Sequence, residues 1–140
     1  MSGTQGVDDA TLSAVGCLPL LQRLQLAGVK TFTDQGLQLL GISQAMEGGA
    51  ALEELNLHGC KQLTNLSLKH VGKYFSSLHN LSIHGCPAMT DEGIANLLTG
   101  APLDLRRFNN AGCYKQTVAA RQMVLASCPY IAYYYRFGEF

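Results

Sequence analysis

The chain has no tryptophan, only four prolines among 140 residues and no excess of either charge, its ten Lys and Arg being matched by ten Asp and Glu. A balanced and sparsely charged surface supplies no overall field for nucleic acid or anionic lipid, so neither is expected as a partner. No apolar run approaches the roughly 18–20 residues that a spanning helix needs, and no membrane contact is expected. The first twenty residues carry Asp8 and Asp9 but no Lys or Arg, unlike a secretory or mitochondrial leader, and the expectation is a soluble intracellular protein. The glycines form neither G-x-G-x-x-G nor a P-loop, and no two cysteines have C-x-x-C spacing. What is abundant is apolar residues, 47%, together with 15 glycines, the composition of a folded chain that turns often.

Five cysteines leave one over from any closed set of intrachain disulfides. Cys60, Cys86 and Cys113 are spaced 26 and 27 residues apart, as one structural position repeated, and reduced, buried thiols are expected. The spacing belongs to a larger pattern. Leu21-x-x-Leu24-x-Leu26-x-x-Val29 recurs as Leu52-x-x-Leu55-x-Leu57-x-x-Cys60 and Leu78-x-x-Leu81-x-Ile83-x-x-Cys86, with a degraded copy, Leu105-x-x-Phe108-x-Asn110-x-x-Cys113. Several apolar positions recurring together at this period read as leucine-rich repeats.

A second block follows each of the first three: Phe32-Thr33-Asp34-x-Gly36-Leu37, Leu63-Thr64-Asn65-x-Ser67-Leu68 and Met89-Thr90-Asp91-x-Gly93-Ile94. Threonine followed by Asp or Asn ahead of an apolar i, i+3 pattern reads as a helix start, with the short polar side chains capping unpaired backbone N–H groups. On this reading Asp34 and Asp91 are N-capping residues rather than paired acids of a hydrolase. Val7-Asp8-Asp9-x-Thr11-Leu12 matches the same block, so the chain starts halfway through a repeat, and the N-terminal edge of the stack is expected to be open to association. The stretch from Gly41 to Ala51, with Gly48-Gly49, accounts for the longer first period as a surface loop.

The expected fold is an α/β solenoid of about four and a half repeats, with a parallel concave sheet and helices on the convex side, because one unit cannot bury its apolar side alone. Residues 1–127 form this domain and residues 128–140 an aromatic cap or tail. Alternation along each strand turns Leu55, Leu57, Leu81 and Ile83 inward and Arg23, Glu54, Asn56, His58, Asn80, Ser82, His84, Arg107 and Asn109 outward, as candidate partner-binding residues. His58 and His84 are in phase on this strip and read as partner contacts rather than metal ligands. A ladder of three cysteines about 4.8 Å apart does not converge into a four-ligand metal site. In the tail, Tyr130, Ile131, Tyr133 and Phe137 are expected to cap the apolar end, and Tyr134, Tyr135 and Phe140 to anchor a partner. No nucleophile and base stand out from the repeat, so no catalytic residue, cofactor, metal or small-molecule substrate is expected.

Cys60, Cys86 and Cys113, together with Thr90-Asp91-x-Gly93-Ile94, Cys128-Pro129 and Cys17-x-Pro19, resemble the cysteine-containing leucine-rich repeats of F-box proteins. The resemblance implies a repeat surface for proteins, as in the substrate-recognition part of a ubiquitin ligase. No segment reads as the F-box itself. The tail, from Cys113-Tyr-Lys-Gln-Thr through Arg136-Phe137-Gly138, is similar to the leucine-rich-repeat components of the nexin–dynein regulatory complex. That similarity implies a structural subunit of a large assembly in the axoneme of motile cilia, with other axonemal proteins as partners.

Overall fold

The computed structural model describes residues 6–47, 52–100 and 103–135. Helices and short strands alternate: α1 Asp9–Gly16, β1 Arg23–Gln25, α2 Asp34–Glu47, β2 Glu54–Asn56, α3 Asn65–Tyr74, β3 Asn80–Ser82, α4 Asp91–Leu98, β4 Arg107–Asn109, α5 Val118–Ser127 and β5 Tyr133–Tyr135. The strands form one parallel sheet in chain order, β1 to β5, and each helix packs on the next. The register repeats without a slip: Leu24, Leu55, Leu81 and Phe108 stand beside one another, as do Arg23, Glu54, Asn80 and Arg107. The architecture is the leucine-rich-repeat solenoid that the periodicity predicts.

One continuous core runs through it. Leu24, Leu26, Leu55, Leu57, Leu81, Ile83 and Phe108 are buried from the sheet, and Leu37, Leu40, Leu68, Val71, Ile94, Leu97 and Val124 from the helices. Burying a side chain of this kind is worth about 1.5–3 kcal/mol, and here each does so against the neighbouring repeat. At the strand exits the Sγ of Cys60, Cys86 and Cys113 donates to the carbonyls of Leu26, Leu57 and Ile83 in the preceding repeat, at 3.2, 3.2 and 3.1 Å. The cysteine column is thus a set of interior clips between repeats. All five cysteines are free thiols; Cys60, Cys86 and Cys113 are buried as expected, Cys128 is buried too, and Cys17 is exposed. Asn110 replaces the apolar residue of the other strands and is also buried; it donates to Gln116, whose own Nε2 reaches the Met89 carbonyl at 3.3 Å. A polar pair therefore fills two core positions of this repeat, Asn110 that of Leu57 and Ile83, and Gln116 that of Leu63 and Met89.

The Thr-Asp motif does something other than expected. The threonines cap: Thr33, Thr64 and Thr117 accept from the backbone N–H groups of Gln35, Leu66 and Ala119 at 3.2–3.3 Å. The following Asp or Asn does not cap its own helix but reaches into the next repeat. Asp9 accepts from the N–H and hydroxyl of Thr33, both at 2.7 Å. Asp34 does the same with Thr64, at 2.9 and 2.6 Å, and Asp91 with Thr117, at 2.8 and 2.5 Å. In the one amide rung, Asn65 accepts from the Thr90 N–H at 2.8 Å and donates its own N–H to the Thr90 hydroxyl, also at 2.8 Å. Thr90, whose hydroxyl is turned to Asn65, is the one threonine of the four without a capping bond. The capping reading of Asp34 and Asp91 is corrected: these carboxylates lock repeats together.

The rung also explains the glycine two residues on. A Cβ on Gly36 would lie 2.5 Å from the Asp9 carboxylate, and one on Gly93 only 2.2 Å from the Asn65 oxygen. Ser67, at the same place in α3, uses its hydroxyl to donate to Asp34, and Ala120 completes a column of small residues. At the other end of the chain, the segment read as a cap contributes a fifth strand, Tyr133–Tyr135, in register with Arg107–Asn109. Cys128 and Ile131 are drawn into the same turn as Phe75 and Leu78: Cys128 N–H donates to Val124, and Ile131 N–H to Cys128. Ile131 packs on the core as expected, whereas Tyr130 is 74% exposed and caps nothing.

Candidate functional site: the concave strand face

Three outward rows cross the strands. The first is Arg23, Glu54, Asn80 and Arg107; the second is Gln25, Asn56, Ser82 and Asn109; the third, one step beyond the strands, is Ala27, His58, His84 and Ala111. Period-two alternation puts them all on the side opposite the core, so every strand candidate named from the sequence lies on one surface.

The rows are cross-linked rather than independent. Glu54 takes the Arg23 guanidinium on one oxygen at 2.9 Å and the Asn80 amide on the other at 3.1 Å, tying three strands. Asn56 donates to Gln25 at 2.8 Å and uses its oxygen to accept the His58 N–H at 2.9 Å. Asn109 accepts the Ala111 N–H at 3.0 Å in the same way, and Ser82 accepts that of His84 at 3.5 Å. The amide row therefore holds the strand exits in shape while leaving polar atoms facing outward. Between the rows lies a shallow groove of about 150 Å³, walled by Gln25, Glu54, Asn56, Asn80, Ser82, Arg107 and Asn109 over the strand positions Leu55, Leu81 and Phe108, whose own side chains are buried in the core. Neither the groove nor the Gln25 contact is evident from a list of outward residues; both follow from strand spacing.

The His58 and His84 rings lie with centroids 4.2 Å apart and planes tilted by 39°. Burial, and then the neighbouring His58, hold the His84 imidazole below its ordinary value. Among the described residues no three His, Cys, Asp or Glu side chains converge on a point where a metal ion would sit. Asp34 and Asp91 stand apart in separate rungs. His70 is buried on α3 and His79 contacts the Asp104 carbonyl at 2.9 Å, so neither joins the strip. For the interior thiols burial is the dominant effect, pushing Cys60 and Cys113 up to about 11 and Cys86 to about 12, far from a reactive thiolate. Of the tail candidates, the backbone register pairs Tyr134 with Phe108 and Tyr135 with Asn109. Phe140 and Phe137 lie outside the described residues.

No family model matches the chain, and no curated protein matches it. Among solved structures it is similar to a chain in the crystal structure of the yeast Rad7 and Elc1 complex, with a TM-score of 0.70 and 25% identity over 93% of the present chain. The match spans 33% of that chain, about a third of its length. The likeness places the present chain among leucine-rich-repeat-like solenoids, and the solved relative is itself part of a protein–protein complex.

Proposed function

We propose that the chain is a non-catalytic scaffold that binds other protein subunits through its concave strand face. One observation carries this reading: the outward rows gather hydrogen-bonding side chains around a shallow groove on one surface, tied laterally from Arg23 through Glu54 to Asn80 and from Asn56 to Gln25. Such an arrangement presents hydrogen-bonding atoms at fixed spacing with little ordering cost, which is what a protein surface needs for recognition. Its similarity to a chain that is one member of a two-protein complex supports the same reading.

The more specific proposal is a structural subunit of the nexin–dynein regulatory complex in the ciliary axoneme, supported by the tail resemblance from Cys113 through Gly138. The substrate-recognition part of an F-box ubiquitin ligase, or a leucine-rich-repeat subunit of another large complex, is the second reading, favoured by the cysteine-type repeats and the solved relative. Affinity purification from ciliated cells, with wild type and an Asn56→Lys/Ser82→Lys variant, separates them. Tubulin and dynein-arm components recovered with wild type and lost with the variant support the axonemal reading; ligase subunits support the other. Equal recovery with both proteins removes the concave face from the account.

A further inference from the structure

Strands β1 to β4 each leave the sheet through a dipeptide ending in glycine: Ala27-Gly28, His58-Gly59, His84-Gly85 and Ala111-Gly112. These glycines have φ of 71–77°, a region where other residues are strained. The Gly28, Gly59 and Gly85 N–H groups donate to the carbonyls of His58, His84 and Ala111, each at 2.8 Å, so the stacking of repeats continues one rung past the strands. A Cβ on Gly85 would lie 4.0 Å from the His58 ring, and one on Gly112 3.4 Å from the His84 ring. Each ring thus lies over the glycine of the next repeat, in a row that continues into Ala27 on one side and Ala111 on the other.

Charge is segregated about this row. The strand-to-helix segments 26–33, 57–64, 83–90 and 110–117 carry Lys30, Lys61 and Lys115, all exposed, and no Asp or Glu. Acidic residues resume at the helix starts, where Asp9, Asp34 and Asp91 are engaged by threonines and Asp8 by Thr11, with Glu92 exposed beside them. On the helix-to-strand side stand Glu53, Asp104 and Arg106. Around the imidazoles themselves, the adjacent outward positions are Asn56, Ser82, Ala27 and Ala111, and the one charge acting on His84 is His58.

We infer that His58 and His84, backed by Lys30, Lys61 and Lys115, form the docking point for an acidic protein segment, whose Asp and Glu side chains run along this edge of the concave face. The inference deepens the scaffold reading and rests on it. The His58 ring 4.2 Å away disfavours a proton on His84, so a partner carboxylate is what makes that proton favourable, and binding takes it up. Affinity then rises as pH falls, by at most about tenfold per pH unit for each proton taken up. The amide rows, with only three lysines spread over four strand-to-helix segments, suit a peptide better than a polyphosphate, which asks for a dense cationic track.

Fluorescence anisotropy of the full chain with a labelled Glu-Gly repeat peptide of about twelve residues tests this between about pH 8 and pH 6. Binding is expected to strengthen toward the lower pH and to weaken with salt. His58→Gln/His84→Gln should keep the salt dependence and lose the pH dependence, while Lys30→Gln/Lys61→Gln/Lys115→Gln should weaken binding at every pH. Circular dichroism confirms that each variant is folded. Absence of binding near pH 6, an unchanged pH slope in the histidine variant, or tighter binding of a single-stranded oligonucleotide of the same length overturns the inference. Cellular partners lost with Asn56→Lys/Ser82→Lys but kept with the histidine and lysine variants also overturn it, and leave the scaffold reading standing.

Discussion

The inward and outward columns share the same strands yet obey different rules. Inward, Leu24, Leu55, Leu81 and Phe108 and the cysteine clips are nearly the same in every repeat, as are the Thr-Asp rungs at the helix starts, because each must fit the neighbouring unit. Outward, Arg23, Glu54, Asn80 and Arg107 change sign and chemistry from strand to strand, because solvent accepts any of them. The lesson is that uniformity marks what holds the solenoid together, and variation between equivalent positions marks where specificity can reside.

The sharpest way to break this comparison is to put one charge on each side of a strand. Leu57→Asp buries an unpaired carboxylate in the core and should unfold the chain, since the cost rivals the roughly 5–15 kcal/mol that holds a domain together. Asn56→Asp, one residue away, should leave the melting transition within a few degrees of wild type; equal collapse of both would deny the two-sided strand. The next effect belongs to the rungs. Asp34→Ala removes acceptors for the Thr64 N–H and hydroxyl and strands the buried Ser67 hydroxyl, and urea unfolding should show a loss of about 1–3 kcal/mol.

Alkaline titration probes the cysteine column. A thiol whose folded value is raised favours the protonated state, so its contribution to stability is intact below the ordinary value of 9.0. It is lost as pH climbs through about 11 for Cys60 and Cys113 and about 12 for Cys86. Thermal melts should therefore fall above pH 9, and Cys86→Ala should fall less steeply. The smallest effect is expected outside: Glu54→Ala breaks a pair whose arginine side chain is 78% exposed, and should cost under about 1 kcal/mol by the same urea assay.

Much of this was legible in the sequence because a solenoid writes its geometry as a period. Leucine spacing located every strand from β1 to β4, and the alternation around Leu55 and Leu81 placed Glu54, Asn56, Asn80 and Ser82 on one face. The fifth strand escaped because Ile131 and Tyr134 keep the L-x-x-L spacing with an aromatic residue in the second place, inside a run of tyrosines that masks alternation. The Thr-Asp rungs were read as caps because capping is a local rule, whereas the partner of Asp34 lies 30 residues away in sequence. Only stacking reveals it. The same holds for the histidine pair: phase predicted proximity, but the seat over Gly85 and Gly112 depends on backbone geometry.

Counting thiols that react in the native state tests the stacked core most directly. Under a small alkylating reagent at neutral pH, Cys17 should modify at once, and Cys60, Cys86, Cys113 and Cys128 should react together only as the chain unfolds in denaturant. Two or more of those four reacting as fast as Cys17 would contradict the interior column and the interlocked repeats built around it.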